Sequence, residues 1–127
     1  MNLTRLAHHQ HPQPPHHELR QKEVLDSGDR LIGQIDNLYV DDDRNLQFAD
    51  VSITGLFDFG KKHYLIPVEV IGDEESGYVT LTVDLQTVQS APKLARPHTA
   101  PDKALQRAAR EHCKGQEGTV LLSTCSA

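Results

Sequence analysis

Histidine is the residue type that most invites a chemical reading of this chain, because five of its eight histidines crowd into residues 1–17. They are His8, His9, His11, His16 and His17, interspersed with Pro12, Pro14 and Pro15. Neutral imidazole suits zinc, copper and nickel, so the cluster is a candidate metal-binding or pH-responsive element, although neither cysteine nor carboxylate completes a fixed geometry within it. Asp41-Asp42-Asp43 offers a run of acidic oxygens, but the twelfth position counted from Asp41 is Ser52, where an EF-hand loop requires glutamate. A solvated turn is expected there. A hydrolytic centre would need a convergent set such as His63, Asp58 and Ser52, and no oxyanion donor or cofactor loop accompanies them. His112 and Cys113 are adjacent in a helical pattern, about 100° apart around the axis, which does not aim a base at a nucleophile. The chain is therefore expected to be non-enzymatic and to need no cofactor.

The elements that would position these residues are mostly strands. Glu18 to Leu25 ends in Val24-Leu25, and Asp26-Ser27-Gly28-Asp29 is a strong turn signal. From Arg30 to Asp41 the apolar residues Ile32, Ile35, Leu38 and Val40 fall at spacings of three, three and two. Gly33 and the flanking turns favour a bulged strand over a helix, one extra residue re-aiming the side chains. Leu46 to Gly55 alternates, with Ala49, Val51 and Ile53 facing one way and Phe48, Asp50, Ser52 and Thr54 the other, which predicts a half-buried strand. His63 to Ile71 is the most apolar run and reads as a central strand that exits at Pro67. Tyr78 to Val83 alternates again, after a polar loop from Gly72 to Gly77. Asp84 caps one helical turn that carries Leu85 and Val88 inward and stops at Pro92. Thr99 as cap and Gly115 past the end predict a helix over 101–114 with a thin apolar stripe of Leu105, Ala108, Ala109 and His112.

The chain divides into a disordered His/Pro-rich tail (1–17), one β domain (18–92), a linker (93–100), a helix (101–114) and a tail or short strand (115–127). Trp is absent and aromatics are few, so the core rests on Leu, Ile and Val. Apolar runs of about 18 residues are lacking, and so is the layout of a signal peptide, so no membrane span and a cytoplasmic location are expected. Cys113 and Cys125 have no paired spacing and are expected as thiols. Net charge is −5 overall, but residues 22–92 carry five basic against fourteen acidic side chains, and residues 93–114 carry six against two. An acidic body repels phosphate backbones, so nucleic acid is not an expected partner.

The middle of the chain resembles the PRC-barrel family, small β-barrels found in the cytoplasmic part of the photosynthetic reaction-centre H subunit and in ribosome-maturation factors. Leu31 to Asp41, Lys62 to Ile71, and Val79 to Asp84 running on to Ala91-Pro92 carry the match. The resemblance implies an all-β fold, a small antiparallel barrel of five to six strands, with a disordered N-terminal tail and a C-terminal helix. It also implies an interaction or assembly module with no shared catalytic residues to carry over. The expected partner is a protein or a second copy of the chain. Leu56, Phe57 and Phe59, bracketed by Gly55 and Gly60, either fold over the barrel mouth as a plug or stay exposed as the leading contact candidates, since exposed apolar patches are rare on monomers but aromatic anchors dominate binding energy. Leu105, Arg107 and Arg110 of the basic C-terminal helix are the second set. A metal- or pH-responsive accessory role through the histidine-rich segment is the alternative, ahead of a ribosome-maturation or photosynthetic-assembly role.

Overall fold

Alternating apolar residues and punctuating turns wind most of the chain into one curled sheet. The computed structural model describes residues 3–7, 10–16, 18–54, 61–94 and 100–118. Its strands are β1 (Thr4–Arg5), β2 (Glu23–Leu25), β3 (Leu31–Val40), β4 (Leu46–Thr54), β5 (Lys61–Pro67), β6 (Ile71–Glu74) and β7 (Tyr78–Leu81), followed by the helices α1 (Leu85–Gln89) and α2 (Lys103–Gly118). The strand order is β5-β4-β3-β2-β7-β6, and β1 also pairs with β3. Neighbours are antiparallel except β2 and β7, which are parallel. The architecture is mostly β and barrel-like with a C-terminal helix, as the resemblance implies, with the parallel β2–β7 pair as the departure from an all-antiparallel barrel.

The inner face of the sheet is lined by Val24, Ile35, Leu38, Ala49, Val51, Tyr64, Ile66, Val79 and Leu81, and α1 closes it with Val88. Each fully buried Leu, Ile or Val contributes about 1.5–3 kcal/mol, so this layer dominates stability. Turn chemistry sets the corners. Asp41 accepts the Asp43 and Asn45 amides on Oδ1 at 2.9 Å each, which makes the acidic run a hairpin turn as expected. Asp84 caps α1 by accepting the Thr87 amide at 2.9 Å, also as expected. The run from His63 to Ile71 divides at Pro67: β5 ends there, Val68–Val70 form a 3-10 turn that buries Val70, and Ile71 opens β6.

Three features differ from the sequence expectation. Composition predicted a disordered segment before Glu18, yet β1 pairs with Tyr39 and Val40, Leu6 and Leu19 are buried, and Arg20 Nη2 donates to the Ala7 and Gln10 carbonyls at 2.9 and 3.3 Å. The apolar residues that anchor this segment are too few and too spread to show as periodicity. β4 is buried on both faces instead of one, because Phe48 and Asp50 are as inaccessible as Ala49 and Val51. Its outer face is covered by a second apolar cluster of Tyr39, Phe48, Leu65, Leu94 and Ala109, with Leu3, Ala100 and Leu105 packed on it. Finally, α2 starts at Lys103, with Asp102 Oδ1 accepting the Leu105 amide at 2.8 Å, and continues to Gly118 through the predicted stop at Gly115.

Gly33 has a packing reason. A Cβ built there would stand 2.3 Å from the Ser52 carbonyl oxygen of the neighbouring strand, a backbone atom that cannot swing aside. Gly33→Ala is expected to destabilise the fold by about 2 kcal/mol. A urea midpoint equal to that of the wild type would refute the close approach.

Candidate functional site

A bulge in β3 decides which polar side chains meet. Ile35 pairs with Val51 and Asn37 with Asp50, so Asp36 is the extra residue. Ile35 and Leu38 both enter the inner core, which turns the two residues between them, Asp36 and Asn37, onto the outer face. Asp50 of β4 and His63 of β5 point to the same side, His63 lying diagonally across from Asp50 because it pairs with Ser52.

These side chains form one network. Asp50 is fully buried; its two carboxylate oxygens lie 2.8 and 2.9 Å from His63 Nδ1, and Oδ2 accepts from Asn37 Nδ2 at 2.8 Å. Asp36 Oδ2 is 3.9 Å from the same imidazole nitrogen. Arg5 Nη1 of β1 donates to Asn37 Oδ1 at 3.4 Å, so four strands contribute to the network. The side chains of His63 and Asp36 are 20% and 22% exposed, which leaves one side open to water.

Burial pushes the Asp50 carboxyl above the usual carboxylate range, and the nearby Asp36 charge adds to this; the Asn37 and His63 hydrogen bonds oppose it without cancelling it. Burial likewise raises the Tyr39 phenol, reinforced by the charge on Asp50. The network therefore holds carboxylate charge where desolvation disfavours it. Chemically, an imidazole fixed by a buried carboxylate can orient a proton, and one nitrogen with two carboxylates is a cation donor set.

Of the hydrolytic set considered from sequence, His63 of β5 and Ser52 of β4 are register partners. Asp50 is the carboxylate that contacts His63 among the described residues, and Asp58 lies outside them. Ser52 Oγ donates to the Gln34 carbonyl at 3.3 Å.

The candidate contact residues fare differently. Leu56, Phe57 and Phe59 lie outside the described residues. Leu105 packs on the second apolar cluster, and Arg110 serves the protein's own fold: its guanidinium stacks 4.5 Å over the Phe48 ring, bonds Glu69 at 3.0 and 3.2 Å and reaches Gln47 Oε1 at 2.9 Å. The long apolar stem and planar head of arginine let one residue do both, which a thin stripe in the sequence conceals. Arg107 is exposed.

Among the N-terminal histidines, His16 Nδ1 pairs with Glu74, and His11 is exposed at the rim of a cleft of about 510 Å³ lined also by Glu18, Arg20, Lys22 and Ser76. That lining mixes charges of both signs. His8, His9 and His17 lie outside the described residues. Cys113 is buried in the main core.

Sequence reasoning missed Asp36, Asn37 and Asp50. The three-residue spacing from Ile35 to Leu38 was the available signal for the first two, and a charged residue between Ala49 and Val51 was the signal for the third.

The sequence model of the PRC-barrel domain matches residues 15–86 of this chain. None of the curated proteins compared with it matches.

Proposed function

Because the chain belongs to the PRC-barrel domain family, we propose that it works as a non-catalytic interaction or assembly module in the cytoplasm, docking a protein partner or a second copy of itself. The observation that carries this reading is the part of the outer sheet face that α2 leaves open. There Leu31 of β3 pairs with half-buried Leu25 of β2, and Tyr78 of β7 lies diagonally beyond Leu25, across from Glu23; Leu31 and Tyr78 are 59% and 41% exposed. Large apolar side chains grouped on an open sheet face favour a protein surface over water. Leu56, Phe57 and Phe59, which enter this proposal from the sequence, form the second contact; the segment that holds them joins β4 to β5. Among the described residues no helix is long and apolar enough to cross a membrane.

Two double variants test the reading, Leu31→Glu with Tyr78→Glu and Phe57→Asp with Phe59→Asp. Each is expected to lower partner capture from the native cell, or the molar mass of the purified chain in light scattering, at least tenfold in apparent affinity while circular dichroism stays native. If both variants leave capture and mass unchanged, the module docks elsewhere and the reading falls.

A further inference from the structure

We propose that Asp36, Asp50 and His63 bind one divalent transition-metal ion of the zinc class on the outer face of the sheet. Three adjacent strands supply the ligands, and one donor atom from each lies within 4.8 Å of the other two. Zinc bonds to nitrogen and carboxylate oxygen of about 2.0–2.2 Å place tetrahedral donors roughly 3.4 Å apart. The separations from His63 Nδ1, 2.8 Å to Asp50 and 3.9 Å to Asp36, bracket that spacing, and the two carboxylate donors lie within 4.8 Å of each other. Seating the ion displaces any proton shared by His63 and Asp50.

The donor chemistry selects the ion. Calcium takes six to eight oxygens and magnesium prefers octahedral oxygen and water, whereas an imidazole with two carboxylates suits zinc and its neighbours. Two carboxylates and a neutral imidazole carry a charge of −2, which a dication matches at a position where Asp50 is withdrawn from water. Support beyond the ligands is in place: Asn37 donates to Asp50 Oδ2 at 2.8 Å and is itself held by Arg5 at 3.4 Å, as outer residues orient metal-bound carboxylates elsewhere. The partial exposure of His63 and Asp36 gives water or a donor from a docked partner access to the site. This site is separate from the N-terminal histidines and does not depend on the interaction reading above.

The test is calorimetric titration of the full chain with zinc chloride, repeated for Asp36→Asn, for His63→Gln, and for a chain with His8, His9, His11, His16 and His17 all changed to Gln. One equivalent of zinc is expected to bind the wild type and the five-histidine variant alike. Asp36→Asn and His63→Gln are each expected to weaken it by at least about tenfold. Zinc at one equivalent should also shift the His63 ring signals in the NMR spectrum of the wild type, which keeps the proposal testable if a variant does not fold. Binding that vanishes in the five-histidine chain, that ignores both site variants, or that leaves the His63 signals unmoved overturns the proposal.

Discussion

Asp26→Ala is expected to remove about 3–5 kcal/mol of folding stability, a large share of the total for a domain of this size. Asp26 is fully buried just after β2, yet every oxygen is used. Oδ1 accepts the Gly28 and Arg30 amides at 2.9 and 3.0 Å, and Oδ2 accepts the Leu85 amide at 3.1 Å and the Arg30 guanidinium at 3.2 and 3.0 Å. One carboxylate thus ties the β2–β3 turn to the start of α1. Truncation leaves three amides without their acceptor at one point, while the 66%-exposed Arg30 guanidinium turns to water. Burial by itself would raise this carboxyl, but the amides of Arg30, Gly28 and Leu85 and the Arg30 side chain outweigh it and hold it below the ordinary value of 3.8. The sign for pH follows: a lowered folded value means that the stabilisation is complete above 3.8 and is lost as pH falls below it, through the folded value. Urea unfolding between pH 5 and 2 should show a steeper loss for the wild type than for Asp26→Asn. An alanine variant within 1 kcal/mol of the wild type at pH 7 would sink the assignment.

Phe48→Ala should cost a similar amount, about 3–5 kcal/mol, and should do so unevenly. The ring is fully buried between the outer sheet face and α2, among Tyr39, Leu65 and Ala109, with Arg110 stacked on it. Its loss opens a cavity at the seam and removes the platform for the guanidinium, worth about another 0.5–2 kcal/mol. Amide hydrogen exchange should rise by orders of magnitude in α2 while the β3–β4 ladder stays the most protected region. Equal acceleration throughout would mean that the helix is not a separately anchored layer.

These two residues also show what was legible beforehand. The turn at Asp26 was visible from Asp-Ser-Gly-Asp, but the reach of its carboxylate to Leu85 was not, because a contact 59 residues away leaves no local trace. Positive φ falls at Asp29 and not at Gly28, so even the turn chemistry was only half placed. Alternation in β4 correctly separated Phe48 from Ala49. It could not say whether the Phe48 side would be covered, since period two reports which residues share a face and nothing about what packs on it. The bulge in β3 was readable from the uneven apolar spacing, and so in principle was the aim of Asp36. Its meeting with His63 depends on the register of β4 against β5, which only the assembled sheet defines.

The placement of β1 has a consequence for the histidine-rich stretch. β1 faces Tyr39 and Val40, while β2 faces residues 31–34 of the same strand, so the two short strands share one edge of β3 end to end. The described residues between β1 and β2 (6, 7, 10–16 and 18–22) are then held at both ends by β3. Closure entropy varies only as the logarithm of loop length, so adding or removing a few residues near the exposed Gln13–Pro15 changes it by a few tenths of a kcal/mol. Cutting the chain anywhere between β1 and β2 is a different operation. It strips β1 and bares backbone donors and acceptors at the end of β3, a template for strand addition and aggregation. Exposed positions such as Gln13–Pro15 are thereby free to vary, whereas buried Leu6, Pro12 and Leu19 are tied to the fold.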